Sequence, residues 1–440
     1  MFTQALAIEQ AENSNLLDKF IDSNQDPDSA LFQTAEKIAS MDKIYQPSIN
    51  VEIATNKFFQ FMAEAHFLPD PQIITQCALN EHPMLFSDTA LCLEDNQENI
   101  YQNLQRTATC LQNHINVSID FSKLRPSRQI KGPGAKQCVG PIRFMELFER
   151  APRSKDANTH LNYFLNSDHL DFEDFIDYIE TTPSNIRFTL GITNAFMAAL
   201  ANDKSTERKL FHRLINLATK QNINYVFVDP LNNFKKNTRL EANLILNPRN
   251  QLIHPHELTA YGFINLQPFF NEEGLLENKL AYTIAEAIHF LDNCFDKNLY
   301  VEDSLKKTTL NQRRIALSII GLEPVLKQYN PENGNKKNKV ILTRLASFLK
   351  KHMHMASHSL GNKRSFTQNK MRNTQLLAHI DFSAQDLWEG SENHDYFHCW
   401  QDEVENIVAW RHTLGRSSNT KDFIKRFFNA HANGIYLFTP

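Results

Sequence analysis

NINYVFVDPLNNFKKNTRLEANLILNPRNQLIHPHELTAYGFINL, residues 222–266, is the stretch on which the reading of the fold turns. Its first run, Tyr225–Val226–Phe227–Val228–Asp229, is β-branched and aromatic and ends in an acid, which predicts a strand. A polar, Asn-rich loop is expected next. A second apolar run, Leu244–Ile245–Leu246, then stops at Asn247–Pro248–Arg249. Two short, fully apolar strands that end abruptly at polar residues describe the centre of an α/β domain, where strand ends carry chemistry.

The flanks support that class. Ile186–Leu190 alternates and predicts a strand, and Asn194 opens a helix whose packing face holds Phe196, Met197 and Leu200. Leu210–Thr219 predicts a helix leading into the Tyr225 strand. Leu280, Ile284, Ile288, Leu291 and Phe295 recur at helical spacing and predict a long helix. Earlier helices are expected at 31–41, 58–67, 100–111, 141–148 and 171–179, and later ones over Arg313–Leu326 and Val340–His354. Residues 329–340 read as a surface loop, and Ile435–Phe438 as a closing strand. Residues 1–50 are polar and predict an N-terminal helical arm or cap; residues 51–440 contain no linker that divides them.

Composition excludes several classes. At 440 residues the chain is long enough for one large α/β barrel, and its 42% hydrophobic and 22% charged content is that of a folded protein. Net charge is −4, and the basic runs 235–239 and 336–339 are short, so no nucleic-acid groove is expected. No apolar run is long enough for a membrane span. Glu9 and Glu12 stand where a secretory leader would be basic and then apolar. The 6 cysteines form no CxxC pair and read as reduced thiols of a cytoplasmic protein.

Seven segments, in order, resemble the large (catalytic) subunit of ribonucleotide reductase, with the compact adenosylcobalamin-dependent branch nearest. Residues 67–95 resemble its early "F-x-P-N-S-P-T" segment. Residues 118–148 resemble "F-S-x-L-R-P … I-x-G-x-G … G-P-x-S-F-M". Residues 185–200, 313–322 (RRIALSIIGL), 372–378 (RNTQLLA) and 415–438 match later landmarks. The seventh segment is 222–266 itself, which resembles the active-site hairpin: a strand ending Phe-x-Asp, an Asn-rich loop, then Asn-Pro-Cys-Gly-Glu. The resemblance implies a ten-stranded α/β barrel with a central finger loop carrying Asn247–Gln251, in a family that serves DNA replication.

The same resemblance exposes the departures. The family's thiyl radical forms on the finger-loop Cys, and that position reads Arg249, which has no weak X–H bond and does not deprotonate. The two reducing cysteines correspond to Asp88 and Thr259, and the base Glu to Gln251; only Asn247 is kept. Cys92 or Cys77 could stand in for the missing thiol only from outside the finger tip. The Gly-rich substrate turn reads Ile115–Ser118, and the phosphate-cradling turn reads Ile380–Ala384, where Asp381 repels phosphate and Ser383 offers one hydroxyl. No recharging Cys pair precedes Pro440. An arginine in a barrel centre must be matched, so Asp88 and Arg249 are expected to form an ion pair where two sulfurs used to meet. Left open, Arg249 would suit a carboxylate.

Other chemistry-bearing residues have plainer alternatives. Arg125 and Lys123 suit an anion or a structural role. Asp229 and Asn232 are expected to tie the hairpin together. His394/His398 and His354/His358 stand at i, i+4, and His254, His256 and Glu257 cluster, which are metal-binding spacings; 17 histidines also give such spacings by chance. The sequence names no cofactor, and a divalent metal on His394 and His398 is the candidate. Besides true ribonucleoside-diphosphate reduction, the least favoured alternative, two function classes stay open. One is a pseudoenzyme that binds a protein partner or a second copy of itself. The other is an enzyme reusing the barrel on a different small molecule, such as a carboxylate, with a metal or partner subunit.

Overall fold

The computed structural model describes residues 26–127, 139–153, 159–182, 186–218, 223–237, 243–249, 251–271, 274–321, 325, 335–367, 371–377, 424, 427–428, 431–432 and 437–438. In chain order, α1 (Pro27–Ala39) and α2 (Val51–Ala63) precede β1 (Phe67–Pro69) and α3 (Pro71–Leu79). Then come β2 (Asp88–Cys92), α4 (Gln97–Gln112), β3 (Asn116–Asp120), α5 (Pro141–Glu149), β4 (Leu161–Asn166), α6 (Phe172–Thr181) and β5 (Ile186–Ile192). The middle of the chain forms α7 (Asn194–Ala199), α8 (Thr206–Ala218), β6 (Ile223–Phe227), α9 (Val228–Asn237), β7 (Ile245–Leu246) and β8 (Leu252–Ile253). The remainder forms β9 (Ala260–Asn265), β10 (Phe270–Asn271), β11 (Gly274–Leu275), α10 (Glu277–Lys297), α11 (Asp303–Gln312), β12 (Ile315–Ile320), α12 (Asn335–Arg364), β13 (Gln375–Leu377) and β14 (Leu437–Phe438). No helix among the described residues is long and apolar enough to cross a membrane.

These elements form two compact units, one of residues 1–87 and 256–390, the other of 88–255 and 391–440. The second unit is built on a six-stranded sheet ordered β14-β6-β5-β4-β3-β2. Strands β2 to β6 run parallel, and β14 closes one edge antiparallel to β6. Parallel neighbours require crossover helices, which is why strand and helix alternate from 88 to 227. One sheet face is apolar and helix-covered. Phe188 takes Phe175 and Tyr178 of α6 edge-on, and the buried Tyr163 hydroxyl donates to the Met145 carbonyl of α5 (3.0 Å).

The first unit carries a four-stranded sheet ordered β1-β9-β12-β13, with β9, β12 and β13 parallel and β1 antiparallel. The predicted α10 stripe of Leu280, Ile284, Ile288, Leu291 and Phe295 is fully buried. Gly262 of β9 lets α10 come close: a Cβ there would lie 3.0 Å from Leu291 and 2.6 Å from the Phe67 ring.

Three expectations from the sequence are corrected. The first half of the helix expected over Arg313–Leu326 is a strand: α11 ends at Gln312, and Ile315–Ile320 is β12, hydrogen-bonded on both sides by β9 and β13. Buried on both faces, the strand shows no alternation, and periodicity alone could not separate it from a buried helix. The polar stretch after Phe227 is not a loop but α9, and β6 stops two residues before Asp229. The family's turn at Ile115–Ser118 is here the start of β3.

The junction of α11 and β12 rests on charge. Arg313 adopts a left-handed backbone (φ 43°), an unfavourable conformation for a non-glycine residue. Its guanidinium holds Asp292 (Nε–Oδ1 2.8 Å) and Asp296 (Nη1–Oδ1 2.9 Å). Asp292 also takes Arg364 (2.8 Å) and Arg372 (3.3 Å), and Arg364 reaches Asp42. Tyr45 donates its hydroxyl to Asp296 (2.7 Å) and lies under both Arg364 and Arg372. Three arginines thus meet three aspartates inside one unit. Burial alone would raise the Asp292 carboxyl, but Arg313, Arg372 and Arg364 overcome it and hold the group at about 2. A depressed carboxylate contributes stability above its unfolded pKa of about 3.9 and loses it as pH falls towards 2. Acid unfolding should therefore steepen between about pH 4 and 2. Asp292→Asn, which leaves three buried guanidiniums short of one charge, should cost about 3–5 kcal/mol at neutral pH and flatten that window. Urea titrations of both proteins across pH check this.

Candidate functional site

Alternation along β2 to β6 sends every second side chain to the face opposite the helix-covered one. That face carries Asp88 on β2, Asn116, Ser118 and Asp120 on β3, Asn162 and Asn166 on β4, Thr189 on β5 and Asn224 on β6. Asp88, Ser118, Asn162, Thr189 and Asn224 are all buried. A scaffold strand of a covered parallel sheet is ordinarily apolar on both faces, so a buried polar face marks a place for chemistry. The groups satisfy one another in a ladder across the strands. Asn162 Nδ2 donates to Ser118 Oγ (2.8 Å), and Thr189 Oγ1 donates to Asn162 Oδ1 (3.1 Å). Asn116 Nδ2 donates to Asp88 Oδ1 (3.0 Å). Each bond spares a penalty of about 1–3 kcal/mol for a buried unsatisfied group.

The β7–β8 hairpin belongs to the same unit. Its Leu244, Leu246 and Leu252 cluster with Val226 and Leu231, and Phe164 packs against them. Phe164 and Val226 are, with Ala90, apolar members of this face, and the hairpin is anchored there by contact with the first two. Asn247 shapes its tip. Its Oδ1 accepts the N–H groups of Arg249 (3.0 Å) and Gln251 (2.9 Å), and its own N–H donates to the Gln251 carbonyl (2.9 Å). The side chain thus folds the turn onto itself, an Asx-type arrangement. Arg249 Nε lies 2.9 Å from Asp88 Oδ2, with side chains 12% and 1% exposed. The ion pair expected from the sequence is present, and Asn116 holds the other oxygen of its carboxylate.

Asp120 and Cys92 end β3 and β2 on this face. Burial pushes the Asp120 carboxyl up, against the hydrogen bonds of Ser122 and the charges of Lys123 and Lys235. Burial and neighbouring Asp120 push the Cys92 thiol up. Lys235 of α9 donates to the Leu244 carbonyl (2.6 Å), and burial pushes its amine down. In the first unit Cys77 is buried and pushed up to about 12. Neither thiol stands on the hairpin tip.

The other candidates fall out separately. Ser118 belongs to the polar ladder. Thr259 lies in the first unit, buried just before β9. Arg125 is exposed and paired with Asp95. Asp229 accepts the Asn194 N–H at the start of α7 (2.7 Å), so it ties the α7 end rather than the hairpin. Glu257 is engaged by Arg314 (2.5 Å), a fully buried pair. Asp381, Ser383, His394 and His398 lie outside the described residues. Among the described residues no group of three or more His, Cys, Asp or Glu could hold a metal. Asn116, Asn162 and Thr189 were not singled out from the sequence; the signal was there, as polar residues at every second position of NVSID (116–120) and a polar start to NYFLN (161–166 with Leu161).

No protein-family model matches the chain. It is 25% identical over 339 residues, 70% of its length, to a vitamin B12-dependent ribonucleoside-diphosphate reductase of Thermoplasma acidophilum, of which it spans 43%. It is 38% identical over 69 residues to a ribonucleoside-diphosphate reductase subunit alpha of Chlamydia pneumoniae, 16% of this chain and 7% of that one. Its fold matches the alpha subunit of a class Id ribonucleotide reductase of Actinobacillus ureae with a TM-score of 0.70, 13% identity and 92% of each chain covered.

The pair makes a measurable demand. Asp88→Leu and Arg249→Leu alone should each destabilise by about 3–5 kcal/mol, because each strands a buried charge. The double variant should recover most of that loss, giving a coupling energy of at least about 1 kcal/mol in a denaturant double-mutant cycle.

Proposed function

We propose that this chain, a member of the ribonucleotide reductase large-subunit superfamily, does not reduce nucleotides and instead serves by binding a protein partner. The observation that carries the reading is the 2.9 Å pair between Arg249 and Asp88. By the resemblance, these two positions hold the radical thiol and one reducing thiol of the superfamily. A thiyl radical needs a weak S–H bond, and a guanidinium offers none. Gln251, at the position of the superfamily's base, carries an amide that cannot take up a proton. The hairpin tip holds no thiol for a radical-generating group to oxidise, so the residues there do not fit one. Asn247 keeps the turn that once presented the thiol.

The ten-stranded barrel goes with this reading, and β2 to β6 would supply one parallel five-stranded half of it. That two of the similar proteins are named as alpha subunits supports a partner protein as the natural ligand. Asp88, Thr259 and Gln251 are then remnants of a catalytic set, not members of a working one.

One observation favours a second reading. The ladder of Ser118, Asn162 and Thr189 keeps a polar face that an inert scaffold does not need. An enzyme acting on a small carboxylate would use Arg249 as its fork. Thermal-shift titration separates the two. Ribonucleoside diphosphates should leave the Tm unchanged, whereas a ligand at a hundredfold excess over its Kd would add about 2.7 kcal/mol. A saturable rise with a nucleoside diphosphate contradicts the proposal; a rise confined to small dicarboxylates supports the second reading.

A further inference from the structure

Helix α12 (Asn335–Arg364) is set apart from the rest of the chain by its charge. Over 30 residues it holds Lys336, Lys337, Lys339, Arg344, Lys350, Lys351, Lys363 and Arg364 and no acid. The chain has 46 basic and 50 acidic residues, so outside the helix 38 basic face 50 acidic residues. Positive charge is thus concentrated on one element about 45 Å long.

The helix uses one stripe for packing, where Leu345, Leu349, Met353, Ala356 and Leu360 are buried. The opposite stripe runs through Arg344, Lys351, His354 and His358, at steps of seven, three and four residues, and all four are exposed. Arg344 meets Glu277 at the surface (3.1 Å, both exposed), a contact of small energetic weight. Two apolar groups share this surface: Met355, 56% exposed, and Phe366, 41% exposed, whose ring lies 5.6 Å from that of His358. Gly361 admits Phe366 against the helix, since a side chain at 361 would collide with the ring.

Arg344 and Lys351 carry the permanent charge of this stripe, with His354 and His358 beside them as ring donors, and the basic residues of the first turn oppose the helix dipole. The arrangement therefore weakens the isolated helix and is relieved when an anionic surface covers it. A cationic row alone would suit nucleic acid. A row with an exposed methionine and phenylalanine suits a polypeptide with apolar anchors as well, because such side chains adapt to apolar partners and contribute nothing to phosphate binding. We propose that the outer face of α12 is a docking surface for an acidic amphipathic helix of a protein partner. Glutamates and aspartates of that helix meet Lys351, His354 and His358, and its apolar stripe meets Met355 and Phe366. The surface lies apart from the chemistry at Arg249 and rests on the proposed reading of the chain as a partner-binding protein, whose partner it describes; a chain that makes deoxynucleotide yet binds the acidic peptide would overturn that reading and leave the surface standing.

The test uses the full chain and a fluorescent 20-residue helical peptide with glutamates on one face and leucines at i, i+3, i+4 and i+7. Controls are the same peptide with lysines for glutamates and a single-stranded 20-mer DNA. The acidic peptide should bind saturably and weaken as salt rises. K351E/H358E should weaken it by roughly tenfold, and the uncharged M355S should weaken it with little change in the salt dependence. Circular dichroism melts confirm that these exposed-site variants stay folded. Binding of the DNA in place of the peptide, equal binding of the lysine peptide, or no saturable binding of the acidic peptide overturns the proposal.

Discussion

A charge placed beyond the reach of water has to be met by an opposite charge, and the second unit is arranged around that requirement at Arg249. The guanidinium comes from the tip of a hairpin fixed by Asn247 and anchored by Leu244, Leu246 and Leu252 on Val226 and Phe164. The carboxylate comes from the first residue of β2 and is steadied by Asn116 of β3. Hairpin tip and sheet edge therefore meet at one ionic contact, and either partner alone would be a buried, uncompensated ion.

The first unit meets the same requirement on a larger scale. Asp292 receives Arg313, Arg364 and Arg372, and Tyr45 closes the cluster with a hydroxyl to Asp296 and a ring beneath two guanidiniums. Arg314, next in the chain, is matched by Glu257. These contacts join the turn after α1, helices α10 and α12 and the segment before β13, all distant in sequence, and they fix the left-handed corner from which β12 departs. The paired arginines of RRIALSIIGL are in this chain structural anchors, Arg313 at that corner and Arg314 just after it.

Much of this was legible beforehand because it rests on patterns that burial enforces. The helical stripe of α10 and the apolar runs of β5 and β6 follow from period and residue type, and the Asp88–Arg249 pair follows from the family resemblance, which sets the two positions opposite each other, together with the need to satisfy an arginine. The misreadings share a cause. Ile315–Ile320 is covered on both faces, so its sequence shows no alternation, and the gap between α11 and β12 is a corner set by remote aspartates. The polar ladder was missed because each strand offers only two or three polar residues. Their alignment becomes visible only when the parallel register brings Ser118, Asn162 and Thr189 together. Asp229 accepts from the start of α7, where a tie within the hairpin was expected, because the chain turns into α9 immediately after Phe227.

The protein joins a ribonucleotide-reductase-type fold to an altered centre: the hairpin presents a residue to a polar face, and the residue is a cation held by an acid. The central claim is that this centre does not reduce ribonucleotides. The most direct measurement is product formation. Purified chain is incubated with each ribonucleoside diphosphate, a dithiol reductant and adenosylcobalamin, and deoxynucleotide is quantified by mass spectrometry. The account predicts deoxynucleotide no higher than in the protein-free blank. Deoxynucleotide that accumulates in proportion to protein, and disappears in Asn247→Ala, would contradict it.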